Sequence, residues 1–215
     1  MFNVINLNLY HYAGNNPIKY TDPDGREDCG LYKSNGEPGY LLEKGLNQKF
    51  AETVQSMEGT PYLYGGKTRG GIDCSGTVTT ALNEMGYDVP VVRALDMASG
   101  DVDWITINPS ADETKTGDVG MLNFYKTSSS GDISHVNVGI GETNIPGPPY
   151  IRKDQIIDAT QGSTLNQRAG QPGQYTTPKT GQVNQTYAPF STNTQASVQG
   201  KINWAVLEKK YKMED

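Results

Sequence analysis

Two cysteines, Cys29 and Cys74, and two histidines, His11 and His135, are all that this chain of 215 residues holds of either type. Thiols so few, and without C-x-x-C spacing, build neither a disulfide framework nor a zinc site, so no metal and no cofactor is expected. Any chemistry that needs a thiol beside an imidazole has very few pairings to draw on. Positive charge is also scarce. The 18 Lys and Arg stand against 24 Asp and Glu, a net charge of −6, and they form no basic cluster. That excludes the electrostatic footprint of a nucleic-acid or anionic-membrane binder. No segment approaches the about 20 apolar residues of a membrane-spanning helix, and the opening MFNVINLNLYHYAG lacks the basic and apolar regions of a secretory signal. The expectation is a soluble chain with no Sec-type export address of its own. Hydrophobic residues make up only 35%, while Gly (25) and Pro (12) are frequent. One medium domain with a compact core and long polar loops follows.

What is present begins with residues 6 to 25, NLNLYHYAGNNPIKYTDPDG, whose Asn-rich turns, prolines and alternating aromatics predict short strands and tight turns. Asn8, Leu9, Tyr10, Tyr12, Asn15, Asn16 and Pro17, followed by Asp22, Pro23 and Gly25, resemble the end of an Rhs repeat-associated core. Arg26 follows where that family usually has Leu. The resemblance implies that residues 1 to 25 are the remnant of a junction between a β-cocoon shell and a C-terminal effector, often a toxin. It further implies delivery to the envelope of a target bacterium and a partner immunity protein.

Residues 26 to 41 are polar and glycine-punctuated and read as a linker, leaving 42 to 215 as the main domain. Leu42, Leu46, Phe50, Val54 and Met57 recur at spacings of three and four, which predicts an amphipathic helix stopped by Gly59, Thr60 and Pro61. A second helix is expected from Asp73 as N-cap to Gly86 as the C′ stop. After residue 117 the pattern turns to strands: DVGMLNFY, SHVNVGIG, QIIDAT and INWAVLEKKY. Helices followed by strands predict an α+β fold with an antiparallel sheet. Two segments interrupt it. Residues 141 to 153 read as a proline-rich insertion, and 161 to 200 as a long polar loop, lid-like or loosely wrapped.

The stretch GGIDCSG, residues 70 to 76, puts Cys74 in the first turn of the second helix. A free thiol is only slightly ionised at neutral pH. The positive end of a helix and its free N–H groups favour the thiolate and, later, an oxyanion. Within the main domain His135 is the only imidazole to take the proton. Alternation in SHVNVGIG puts His135 and Asn137 on one face and Val136, Val138 and Ile140 on the other, which predicts an apolar core face and an open histidine face. Asp158, amid Ile156, Ile157 and Ala159, is a carboxylate that needs a partner, and His135 on a neighbouring strand fits. Asp73 reads as a helix cap and Asp118 as a turn residue. Cys29 reads as an inert thiol.

Gly59, Pro61, Tyr62, Gly65 and Gly66, then Asp73, Cys74, Ser75 and Gly76, then Gly117 and Asp118, then His135, Val136 and Gly141 resemble, in this order, the spaced motifs of NlpC/P60 cysteine peptidases. The resemblance implies a papain-like α+β fold with helices packed on an antiparallel sheet. It makes Cys74 the nucleophile, His135 the base and Asp158 the orienting residue. Tyr62, Asp73, Ser75 and Asn137 are then expected around the substrate and oxyanion. Two departures stand out: Asp158 replaces a frequent histidine, and Asn137 a frequent glycine. The implied substrate is a peptidoglycan stem peptide, cut after D-glutamate. Two alternatives stay open: an acyltransferase, transglutaminase or deamidase using the same dyad on a protein or lipid, and a non-enzymatic wall-binding or shell-plugging module.

Overall fold

The computed structural model of the chain describes residues 39–108, 117–126, 131–145, 151–160, 181–187 and 196–214. The Rhs-like segment, most of the expected linker and Cys29 lie outside them. The chain divides after Asn47 into two units. The described part of the first is residues 39–47, the opening of helix α1 (Tyr40–Gln55). Everything below concerns the second unit, Gln48–Asp215.

The predicted apolar stripe forms a helix as far as Gln55, with Met57 in the turn that follows. Phe50, Val54 and Met57 are fully buried, and burial of such side chains contributes about 1.5–3 kcal/mol each. Phe50 meets Trp204 edge-on, at 6.3 Å between ring centroids. Gly59, at a positive φ of 87°, turns the chain out of the helix. Its N–H and the Thr60 carbonyl then bond the two backbone groups of Val183.

Two short strands, β1 (Lys67–Thr68) and β2 (Gly71–Ile72), lead into helix α2 (Cys74–Glu84). Asp73 caps α2 as expected. At the other end Gly86 takes φ 97°, its N–H bonds the Asn83 carbonyl, and the Tyr87 N–H bonds that of Leu82. This paired closure is the Schellman geometry that a C′ glycine permits. Helix α3 (Ala94–Ser99) follows.

Six antiparallel strands make the sheet: β3 (Ile105–Asn108), β4 (Leu122–Tyr125), β5 (His135–Ile145), β6 (Ile151–Thr160), β7 (Gln182–Tyr187) and β8 (Val198–Ile202), in the order β3-β8-β4-β5-β6-β7. Helix α2 packs against β5 and β6. The α+β expectation holds, with three corrections. The run 141–153 is less an insertion than the end of a hairpin: β5 continues to Ile145 and β6 starts at Ile151, paired from Gly141↔Gln155 to Ile145↔Ile151. The run 161–200 contains β7 and most of β8, whose ladders recruit polar residues that composition alone assigns to a loop. The strand expected through INWAVLEKKY ends at Ile202. Asn203 accepts a bond from the Val206 N–H and starts the helical turn α4 (Trp204–Val206), continued by a π-helical turn over Leu207–Tyr211. Trp204 and Leu207, three apart, are buried together.

Candidate active site

Cys74 opens α2 and is a free thiol, 9% exposed. Its position is set by Asp73. One carboxylate oxygen of Asp73 accepts from the Gly76 N–H at 2.6 Å and the Ser75 hydroxyl at 3.0 Å. The other accepts from the Gly65 N–H at 2.8 Å. Three donors on one side chain fix the helix start and tie it to the glycine turn after Tyr62. Ser75 therefore directs its hydroxyl to Asp73, not towards an oxyanion, and Asp73 itself is a cap.

His135 is the first residue of β5 and faces Tyr125 across the ladder, the two rings 6.3 Å apart. Its Nε2 bonds Asp158 Oδ1. The Cys74 side chain lies close enough to the ring to act on its charge. Burial opposes a charged imidazole here. The Asp158 carboxylate and the Cys74 sulfur outweigh it and hold the His135 pKa well above its usual value. The thiol therefore sits beside an imidazole that keeps its proton.

Asp158 lies on β6, 1% exposed between Ile157 and Ala159. Its Oδ2 has no hydrogen-bond partner among the described residues. Tyr62 is half-buried. Burial, with the Cys74 and Asp73 charges, pushes its phenol up to about 12, so it stays protonated and can donate. Its backbone is pinned by a 2.6 Å bond to the Gly181 carbonyl. Tyr64, two residues on, is 84% exposed.

The structure thus brings Cys74, His135, Asp158 and Tyr62 together. It places Asn137 differently from expectation: the side chain is 1% exposed and accepts from Asn123 Nδ2 at 3.2 Å, so it lines no open groove. Asn123 accepts in turn from Gln199 Nε2 at 2.7 Å. The sequence reading missed this row, although Asn123 between Leu122 and Phe124, and Gln199 beside Val198, are polar residues set in apolar strands.

The NlpC/P60 family pattern matches residues 59–185, a span that holds every residue of this site. The chain belongs to the NlpC/P60 family. With membership comes the papain-like α+β arrangement expected for it. Among NlpC/P60 relatives, the chain is 38% identical over 100 residues to a probable endopeptidase NlpC of Escherichia coli, covering 46% of this chain and 56% of that one. It is 30% identical over 120 residues to a gamma-D-glutamyl-L-lysine dipeptidyl-peptidase of Bacillus subtilis, covering 55% and 38%. The chain thus spans about half the length, or less, of these curated relatives. Among solved structures, NlpC2 from Trichomonas vaginalis aligns over 83% of this chain and 53% of its own, at a TM-score of 0.48 and 19% identity. The NlpC/p60 domain of the peptidoglycan hydrolase SagA aligns over 50% and 86%, at a TM-score of 0.32 and 25% identity.

Proposed function

We propose that this NlpC/P60 domain is a cysteine peptidase that cleaves peptidoglycan stem peptides after D-glutamate. One observation carries the reading: a thiol at a helix N-terminus shares an imidazole with a buried carboxylate, the arrangement that acyl transfer requires. Cys74 Sγ attacks the scissile carbonyl carbon as a thiolate. The oxygen that becomes negative is met by the Tyr62 phenol and by N–H groups of the first turn of α2. The His135 imidazolium passes its proton to the leaving amine as the C–N bond breaks, and a thioester remains. Neutral His135 then takes a proton from water, whose oxygen adds to the thioester, and the acid product leaves with the thiolate restored. Peptide-bond cleavage is supported by the names of both bacterial relatives, and the D-glutamyl bond by that of the Bacillus subtilis one.

Mass spectrometry of purified tetrapeptide muropeptides after incubation with the chain tests the bond. Products ending in D-glutamate are expected. Intact muropeptides together with a deamidated or acylated protein target would replace this reading with the deamidase or acyltransferase one.

Residues 8 to 25 support a wider proposal, that the domain is the effector of an Rhs-type system delivered to the bacterial envelope and neutralised by an immunity protein. Directing the chain to the periplasm of a bacterial host is expected to lyse it, whereas cytoplasmic expression is not. Unimpaired growth in both compartments would count against the effector role.

A further inference from the structure

Five strands bring a buried polar residue to one line across the sheet. Gln199 pairs with Asn123 across β8 and β4, and Asn123 with Asn137 across β4 and β5. The β5 and β6 ladder reaches Val138↔Ile157, so Asn137 and Asp158 are the next residues on facing strands. Asp158 in turn pairs with Asn184 of β7. All five side chains are at most 6% exposed.

The bonds along this line have a direction. Gln199 Nε2 donates to Asn123 Oδ1, and Asn123 Nδ2 donates to Asn137 Oδ1. That commits the carbonyl end of the Asn137 amide to β4 and leaves Nδ2 on the side away from it. Asn137 Nδ2 and Asp158 Oδ2 are both buried and both without a hydrogen-bond partner among the described residues. The Tyr125 phenol lies beside this amide and interacts with it; Nδ2 carries two N–H groups, so one remains for a second acceptor. One orphan is a donor and the other an acceptor, and an unpaired buried polar group is costly.

We infer that Asn137 is a positioning residue that donates from Nδ2 to Asp158 Oδ2 and thereby moderates the grip of Asp158 on the His135 proton. The inference rests on the proposed Cys74–His135–Asp158 reading and deepens it. A donor on the carboxylate stabilises it most when the imidazole beside it is neutral, so it eases loss of the proton to a leaving amine. The other titratable groups around the pair are Cys74 on α2, Asp73 and Tyr62 before it, Tyr125 on β4 and Asp154 on β6. No described residue, Asn137 included, makes a hydrogen bond to Oδ2 in the structure, so the inferred contact is one that a small shift of the facing pair closes.

The chain has only two histidines, so NMR titration of the imidazole protons, assigned with His11→Ala, reads His135 directly and needs no substrate. Asn137→Asp is nearly isosteric and still accepts from Asn123, but sets a second acceptor against Asp158. Its His135 midpoint is expected to rise by about one unit or more. Asn137→Ala removes the donor and is expected to raise the midpoint by a smaller amount. A merely structural role gives the opposite sign, because loosening the pair lets the midpoint fall towards the ordinary histidine value. Midpoints unchanged or lowered in the folded variants overturn the inference. If neither variant folds, the wild-type chain decides: an Asn137 Nδ2 proton shifted downfield and slow to exchange is expected, and one at an ordinary shift in fast exchange overturns it. Loss of muropeptide cleavage bears on the substrate reading instead and leaves these midpoints untouched.

Discussion

Gly76 and Gly66 cross so closely that a Cβ on Gly76 would lie 2.0 Å from the Gly66 carbonyl oxygen. The same crossing lets the Gly66 carbonyl accept from the Asp73 N–H at 3.1 Å. The glycines on either side of the turn that leads into Cys74 are thus required by backbone contact.

Gly76→Ala is therefore expected to destabilise the domain by about 3 kcal/mol, because the obstructing atom is backbone and cannot swing aside. For a chain of this size that is a fall of roughly 10 °C in Tm, measurable by calorimetry. A change under about 2 °C would show that the turn shifts freely.

Asp73→Ala removes the acceptor of the Gly65 N–H, the Gly76 N–H and the Ser75 hydroxyl together. The expected loss is about 3 kcal/mol, one part helix cap and one part unsatisfied buried donors. Asp73→Asn, which retains one acceptor, is expected to fall between the two. Denaturant unfolding of the three chains checks the order, and equal midpoints would contradict it.

Tyr62→Phe removes only the phenol hydroxyl. If that hydroxyl meets the oxyanion, kcat falls by about 10²–10³, while alkylation of Cys74 by iodoacetamide, which forms no oxyanion, proceeds at the wild-type rate. Parallel loss in both assays would show instead that Tyr62 supports the thiol.

The raised His135 pKa sets a pH dependence of known sign. Its folded value lies above the unfolded one, so the stability from the His135–Asp158 pair is fully present below the ordinary histidine value of about 6.5. It is lost as pH rises through the raised folded value. The basic limb of kcat/KM is expected in that same upper range. Asp158→Ala leaves burial as the main influence on the imidazole, so the limb should move down in pH and turnover should fall by about 10²-fold or more. An unmoved limb would remove Asp158 from the orienting role.

Much of this site is legible in the sequence, for a physical reason: with two cysteines and two histidines a thiol–imidazole pair has almost no other way to form. Asp158 was legible because a carboxylate between Ile157 and Ala159 has to be paired. The Asn123 to Asn137 bond was not, because it joins strands whose register is set by the ladder and not by local pattern. Strand β7 escaped for a related reason. Its run QVNQTY carries one aliphatic side chain, Val183, fully buried, and the strand pairs with β6 along its whole length. At the C-terminus, Trp204 and Leu207 look like strand residues until Asn203 caps the turn that places them on one helical face.

The most direct test is turnover of a purified tetrapeptide muropeptide by the wild-type chain and by Cys74→Ala, with both confirmed as folded. Cys74 as the nucleophile predicts that the substitution abolishes cleavage, a fall of at least about 10³-fold. Cleavage surviving in Cys74→Ala at a comparable rate would contradict the account at its centre.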